Sequence, residues 1–191
     1  LESSGTITVA NTLTTQNGTI LLRAGVDINQ TALISSTAGD IGLVAGRDVT
    51  QTATGNITTV SGDVLVSAER NWTMDGATTI SAGGGQVVGQ AITGTIELEV
   101  IRVTNAVENR VGLSAGVSIL DANLGAVNIE ETVAGSTTSV SLRATNGSIG
   151  QPDPGNGTPL NNDLAIDLNV DTVAAQSATG IYLRELAAGG T

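Results

Sequence analysis

The sequence predicts an all-β protein, a right-handed parallel β-helix (solenoid) of about eight coils of roughly 22 residues. Two observations lead to this prediction: a sequence motif that repeats along the chain, here called the phrase, and a near absence of aromatic side chains. The phrase occurs three times without a gap, as NGTILLRAGVDINQT (17–31), AGDIGLVAGRDVTQT (38–52) and SGDVLVSAERNWTMD (61–75). A motif that returns at this spacing and carries Gly turns is typical of stacked structural repeats. Aromatic residues make up only 1% of the chain, which suits a narrow interior filled by aliphatic side chains.

Within each phrase, apolar residues return at every second position, which is the period of a β-strand. A second short strand follows the Gly or Glu-Arg corner, and a third apolar residue beside a hydroxyl completes the unit. One unit therefore contains three strands and three corners, and it can bury its inward side chains only by stacking on a copy of itself. The columns are Ile20, Ile41 and Val64 for the first strand, Ile28, Val49 and Trp72 for the second, and Ile34-Ser35, Val60-Ser61 and Ile80-Ser81 for the third.

The rest of the chain continues this pattern with local departures. Residues 5–16 predict two strands of an incomplete coil, and Gly89, where a branched residue is expected, predicts a bulge or a thinner coil. A change of phase at Val100-Ile101 predicts a bend or a bulge. The long step from Val111 to Val140 indicates an insertion within 120–138, and 164–173 and 181–185 predict further strands.

We interpret residues 1–191 as a single β-helix segment. All three prolines fall within QPDPGNGTPLNND (151–163), where they cannot donate ladder hydrogen bonds. This stretch is predicted to be a protruding loop, and deletion of 153–160 is expected to leave the fold intact. The chain begins without Met or a signal peptide, which indicates an internal fragment of a longer rod.

Trp72 lies in an inward column, so its indole ring is predicted to be buried. Burial of so large a ring among aliphatic side chains requires a small neighbour on the next coil. Gly89 or Ala91 is expected to provide it.

Composition narrows the classes of function. The chain has 18 acidic residues, seven arginines and no lysine, for a net charge of −11. This charge disfavours nucleic acid and anionic lipid as partners, and no apolar run is long enough for a membrane helix. The absence of His and Cys excludes nucleophilic triads that use them. The sequence therefore predicts no enzyme, no catalytic residues and no cofactor.

Two groups of polar residues could hold a cation. Asp27, Asp48 and Asn71 should stack one coil apart, but Asp and Asn in turns commonly accept backbone N–H groups, and we favour that role. The second group lies in the Pro-rich loop, where a polar turn and a weak metal site both fit its residues. The prediction is that neither group binds a metal. The loop group consists of Asp153, Asn156, Asn161, Asn162 and Asp163.

Two further patterns have ordinary explanations. Paired threonines suggest an ice-binding face, but their spacing is irregular and β-propensity accounts for them. Six Asn-x-Ser/Thr sequons are expected in a chain so rich in Asn and Thr. The pairs are Thr58-Thr59, Thr78-Thr79 and Thr137-Thr138, and the sequons begin at Asn17, Asn29, Asn56, Asn71, Asn146 and Asn156.

Phrases such as GDIGLVAGRDVTQ (39–51), LRATNGSIGQ (142–151) and ATGIYLRE (178–185) resemble the repeat region of filamentous-haemagglutinin-type exoproteins. These are large surface adhesins of Gram-negative bacteria, many of them exported by two-partner secretion. Their amino-terminal secretion domain carries NPNG-type motifs, which this chain lacks, so the resemblance implies an internal position in the rod.

The resemblance implies a non-catalytic structural or adhesive segment, secreted or on the cell surface. It acts as a stiff stalk, with a host or neighbouring-cell receptor or glycan as its partner. The alternative is a carbohydrate-binding or ice-binding β-helix module. A polysaccharide-processing β-helix enzyme ranks third.

Overall fold

The computed structural model describes residues 1–52, 54–104, 109–123, 125–133, 137–152 and 164–186, and this part contains strands and turns but no helix. The strands in chain order are β1 (Glu2–Ser3), β2 (Ile7–Val9), β3 (Leu13–Thr15), β4 (Ile20–Ala24), β5 (Ile28–Gln30), β6 (Ile34–Ser36), β7 (Ile41–Ala45), β8 (Val49–Gln51), β9 (Ile57–Thr59), β10 (Val64–Ala68), β11 (Trp72–Met74), β12 (Thr79–Ala82), β13 (Val87–Ala91), β14 (Ile96–Leu98), β15 (Val100–Val103), β16 (Asn109–Ala115), β17 (Ile119–Asp121), β18 (Ile129–Glu131), β19 (Thr138–Ala144), β20 (Ile166–Asn169), β21 (Thr172–Ser177) and β22 (Leu183–Glu185).

The strands form three parallel sheets that wrap around one core, so the chain is a β-solenoid as predicted. Sheet A contains β1, β4, β7, β10, β13, β16, β19 and β21 in that order. Sheet B runs from β2 through β5, β8, β11 and β14 to β17, and sheet C from β3 through β6, β9, β12, β15, β18 and β20 to β22. Each complete coil contributes one strand to each sheet, so paired strands lie one coil apart, as the long connection between parallel strands requires.

The predicted first and second columns are confirmed by the strand pairing. Ile20 pairs with Ile41 and Ile41 with Val64 in sheet A. Ile28 pairs with Val49, and Val49 with Trp72, in sheet B. These residues are buried. They belong to one continuous aliphatic core along the solenoid.

The third column contains a correction. Ile57, rather than Val60, pairs with Ile34 and Ile80 in sheet C. Val60 is 61% exposed and lies at the corner between sheets C and A. Both residues precede a hydroxyl, but the N–H of Ile34 donates to the carbonyl of Asn56 at 2.9 Å, which places the strand three residues earlier than predicted.

Trp72 is fully buried, as predicted. Gly89 faces it from the next coil, and a Cβ at that position would overlap Trp72 Cζ3 and lie 2.8 Å from Leu113 Cδ2. The predicted bulge at Gly89 is wrong, because β13 pairs in unbroken register with β10 and β16. The glycine makes room for the indole ring without disturbing the strand.

The predicted coil count is too high. The solenoid has about five turns of about 23 residues, although sheets A and C each contain eight strands. Only the strands headed by Ile20, Ile41, Val64, Val87 and Val111 follow one another at near-constant steps. The remaining coils are incomplete or enlarged.

The later irregularities lie at corners. The phase change near Val100 occurs because β14 ends at Leu98 and β15 begins in another sheet. The predicted insertion lies between β17 and β18. The alternating stretch 164–173 divides into β20 in sheet C and the start of β21 in sheet A. Residues 153–163, which make up most of the Pro-rich loop, lie outside the described residues. Within the described residues, no helix is long and apolar enough to cross a membrane.

Candidate functional surface

A ladder of side chains connects the corners between sheets A and B. Asp27 Oδ1 accepts a hydrogen bond from the N–H of Asp48 at 3.3 Å, and Asp48 Oδ1 accepts one from the N–H of Asn71 at 3.1 Å. Asn71 Oδ1 continues the series to the N–H of Thr95 at 3.0 Å. These three residues therefore cap backbone groups of the next coil, which is the role that we favoured for them over cation binding.

Arginines complete this corner ladder. Arg47 Nε lies 2.8 Å from Asp27 Oδ1 and Arg70 Nε lies 2.8 Å from Asp48 Oδ1, and each guanidinium contacts both carboxylate oxygens. The Arg47 hydrogen bond lowers the pKa of Asp27, and the Arg70 hydrogen bond lowers the pKa of Asp48. Both carboxylates are therefore ionised at neutral pH. The phrase alignment contains a signal for these pairs, since each Arg directly precedes the next polar corner residue.

A second ladder lies inside the solenoid. Gln51 Nε2 donates to Gln30 Oε1 at 3.1 Å and to the carbonyl of Gly55 at 3.0 Å, while Gln51 Oε1 accepts from Trp72 Nε1 at 2.8 Å. Gln30 donates to the carbonyl of Asn56 at 2.9 Å. The buried amides and the indole N–H are thus paired with one another, as buried polar groups must be.

Glu99 is a buried carboxylate at the corner between sheets B and C. It accepts hydrogen bonds from the backbone N–H groups of Ala77 and Gly76, both of which have φ of +68°. Burial raises the pKa of Glu99, with Asp121 and Asp75 adding to the effect. Within the described residues, no group of three or more His, Cys, Asp or Glu side chains is arranged to hold a metal ion.

Two outward columns carry short polar side chains. Thr14, Ser35, Thr58 and Ser81 pair in succession on sheet C. On sheet B the succession is Thr8, Asn29, Thr50 and Thr73. The threonine pairs noted in the sequence do not stack on one another, because Thr58 pairs with Ser81 and Thr79 with Val100.

The sequons differ in what their asparagine side chains do. Asn56 Oδ1 and Asn71 Oδ1 each accept a backbone N–H of the next coil, and Asn146 Nδ2 donates to the carbonyl of Gly116 at 2.7 Å. Asn17 is exposed at a corner. Asn156 and the other loop residues proposed as weak ligands, Asp153, Asn161, Asn162 and Asp163, lie outside the described residues.

No family model, curated protein or solved structure matches the chain. Its function must therefore be inferred from its surfaces.

The outer face of sheet A differs from the rest of this acidic molecule. From β4 to β21, the outward positions of its described strands carry three of the seven arginines and no acidic residue. These are Arg23, Arg110 and Arg143. The exposed aliphatic side chains Leu21, Leu65 and Val88 lie along the middle of the same face. Sequence analysis missed this face because the apolar side chains alternate with inward ones in the same strands.

A hollow follows this aliphatic row. Gly112 is the next residue of the column after Val88, and a Cβ at Gly112 would meet no atom within 4 Å. The hollow has a volume of about 320 Å³, and its lining includes Val88, Arg110, Gly112, Ser141 and Ala174. Sheet A therefore presents an apolar ridge on one half and an apolar hollow on the other.

Proposed function

We propose that this chain is a non-catalytic structural segment, a stiff stalk or spacer, of a secreted or cell-surface adhesin. The observation that carries the proposal is that successive coils are connected on every side. Backbone pairing joins them in three sheets, the Asp-Arg ladder joins their corners, and the Gln30–Gln51–Trp72 ladder joins their interiors. A rod built in this way distributes a pulling load over many parallel bonds.

The resemblance to filamentous-haemagglutinin-type repeats supports the same proposal. In such a protein, a spacer holds a distal binding region away from the cell that displays it. Sites for chemistry have little support among the described residues, because Glu99, whose pKa is raised by burial, is a buried corner residue and is not exposed in a cleft.

Pulling single molecules of the 191-residue chain with an atomic force microscope tests the load-bearing role. Coils of about 23 residues should unravel one or a few at a time. Each coil should release about 80 Å of chain at roughly 3.5 Å per residue. Extension without resolved force peaks would refute a load-bearing rod.

The hydroxyl columns on sheets B and C support a second candidate, a module that binds a carbohydrate or an ice surface. On sheet C a hydroxyl repeats along the axis at the strand spacing of about 4.8 Å, and on sheet B Asn29 replaces one of the hydroxyls. A glycan array and a thermal-hysteresis measurement distinguish the two candidates. A spacer gives no specific response in either, whereas a binding module gives one that Thr58→Val and Thr50→Val abolish.

A further inference from the structure

We propose that sheet A is a docking surface for a second copy of this chain, with the two solenoids antiparallel and paired about a two-fold axis. The axis runs parallel to the strands and passes over Val88. This inference does not depend on the proposed function, since an unpaired rod would still be a spacer.

The ridge and the hollow on the outer face of sheet A are complementary in shape, and this complementarity determines the arrangement. Rotation about an axis parallel to the strands reverses the order of the coils and keeps each residue's position along its strand. With the axis over β13, β10 of one chain faces β16 of its partner, and β4 faces β21. Leu65 then enters the hollow above Gly112, and Leu21 covers Ala174. Val88, which is 43% exposed, meets its own copy on the axis.

The charges agree with the same register. Asp63 directly precedes β10 and Arg110 precedes Val111 in β16, so both occupy the same position along their strands. The rotation therefore places Asp63 of each chain opposite Arg110 of the other. Asp63 is exposed, and its Oδ1 already accepts the N–H of Gln86 at 2.8 Å, so the carboxylate is held in place. Arg143 faces Val44, and Arg23 faces Gln176, so no two arginines oppose each other.

Other occupants fit this face less well. Sugar rings bind by stacking on aromatic side chains, and the outward positions of the described strands β4 to β21 have none. An anionic membrane would be repelled by the exposed acids Asp40, Asp63 and Glu69 that flank the face. A second copy supplies aliphatic and acidic groups at the matching positions.

The size of the face sets the expected strength. Seven strands at about 4.8 Å spacing, with about six residues of 3.3 Å each, cover roughly 670 Å² per chain. Stable complexes bury about 800 Å² per partner. Pairing should therefore be weak and should depend on protein concentration.

Sedimentation equilibrium of the full chain from about 5 to 500 µM, at 150 mM salt, tests the proposal. The wild type should shift from a 19.0 kDa monomer towards a dimer. Leu65→Asp should raise the dissociation constant at least about tenfold, since it buries an unpaired charge. Thr50→Asp adds the same charge to the outer face of sheet B and should change the constant less than about twofold.

Three further variants make the test decisive. Gly112→Val fills the hollow where its Cβ meets no neighbour, so it should weaken pairing while leaving the circular dichroism spectrum unchanged. Asp63→Arg and Arg110→Asp should each weaken pairing when alone, and an equimolar mixture of the two should restore it, because each charge then meets its opposite.

Three outcomes would overturn the proposal. A wild type that stays monomeric at 500 µM removes the interface. Self-association that Leu65→Asp and Gly112→Val leave unchanged places the contact elsewhere, for example at the open strand edges of the solenoid ends. Failure of the charge-exchanged mixture to pair refutes the register over Val88.

Discussion

The coils from Ile20 to Ala115 and the coils after Gly116 stack on their neighbours in different ways. In the first region, each step along sheet A takes between 21 and 24 residues, and the corners are joined by repeated side-chain ladders. In the second region the steps lengthen, to 29 residues from Val111 to Val140 and 33 from Val140 to Val173. Sheet B has no strand after β17 within the described residues, whereas sheets A and C continue.

The enlarged coils are joined by a buried network around Asn128, in addition to separate side-chain bonds from Asn146 and Asp171. Asn128 Nδ2 donates to the carbonyl of Leu98 at 2.9 Å and to Asp121 Oδ1 at 2.8 Å, while its Oδ1 accepts the N–H of Asp167 at 2.8 Å. One side chain thus connects three successive coils. A repeated region distributes its inter-coil bonds over many equivalent residues, whereas an irregular region concentrates them in a few.

The largest expected effect follows from this concentration. Asp167 is fully buried, and Arg184 binds it through Nε at 2.7 Å and Nη2 at 2.5 Å. Arg184→Met removes a cation that binds a buried carboxylate and should lower the free energy of unfolding of the last coils by about 3–5 kcal/mol. Amides of β20 and β22 should then exchange with solvent faster, while those of β4 to β13 keep their protection.

Arg70→Met is the matched control from the regular region. Arg70 also binds an aspartate of the preceding coil, but it is exposed to water, so its loss should change stability only slightly. If the two substitutions have equal effects on unfolding, the contrast between a distributed and a concentrated set of inter-coil contacts is wrong.

The second prediction concerns the close packing of Gly89 in the regular region. Gly89→Ala inserts a methyl group against Trp72 and Leu113 and should destabilise the protein by about 3 kcal/mol through overpacking. Gly112→Ala, on the outer face of the next strand, should be neutral or stabilise by about 0.5 kcal/mol, since glycine within a strand is unfavourable. Urea unfolding followed by Trp72 fluorescence measures both. Equal midpoints would show that the indole ring has other space available.

Repetition decides how much of this could be predicted from the sequence. Three copies aligned without a gap fix the columns headed by Ile20 and Ile28, because a slip of one residue would expose every inward side chain. The same alignment predicts that Trp72 is buried and that Gly89 or Ala91 is its small neighbour, and the structure shows that Gly89 faces the ring. The fold class needed no further information.

What the sequence could not supply depends on contacts between coils. Ile57 and Val60 both match the apolar-hydroxyl pattern, and only hydrogen bonding to the preceding coil selects Ile57. The position of the insertion was predicted from the step to Val140, but Asn128 and its partners lie 7 to 39 residues apart without any repeat to align them. The sheet A face likewise emerges only when seven strands are placed side by side.

The third prediction concerns Glu99, which lies at the border of the two regions. Its pKa is raised chiefly by burial, so the folded state favours the protonated form. The stability from protonation is fully present below the unfolded pKa of about 4.3 and is lost as pH rises through the folded pKa. Glu99→Gln should therefore be more stable than the wild type at pH 7, by less than the cost of Gly89→Ala, and the difference should shrink on acidification.

Thermal unfolding of both proteins at several pH values between about 4 and 7 measures this difference. Asp27 and Asp48 titrate in both proteins, so their loss of stabilisation in acid cancels in the comparison. A Glu99→Gln protein that is less stable at neutral pH would mean that the two backbone hydrogen bonds to the ionised carboxylate outweigh its burial.

The smallest effect is expected at Ala77, in the turn that Glu99 caps. Ala77 has φ of +68° and follows Gly76, which has the same φ. Two consecutive residues with positive φ form a turn in which glycine is favoured, and a Cβ in this region costs about 1–2 kcal/mol. Ala77→Gly removes that strain but gives the unfolded chain more freedom, which offsets part of the gain. The net result should be a stabilisation of about 0.5–1 kcal/mol in urea unfolding.

Ala38→Gly is the control, at an exposed corner where Ala38 has no positive φ, and it should destabilise the protein by a similar amount. A loss of stability in both variants would show that the turn at Ala77 stores no strain.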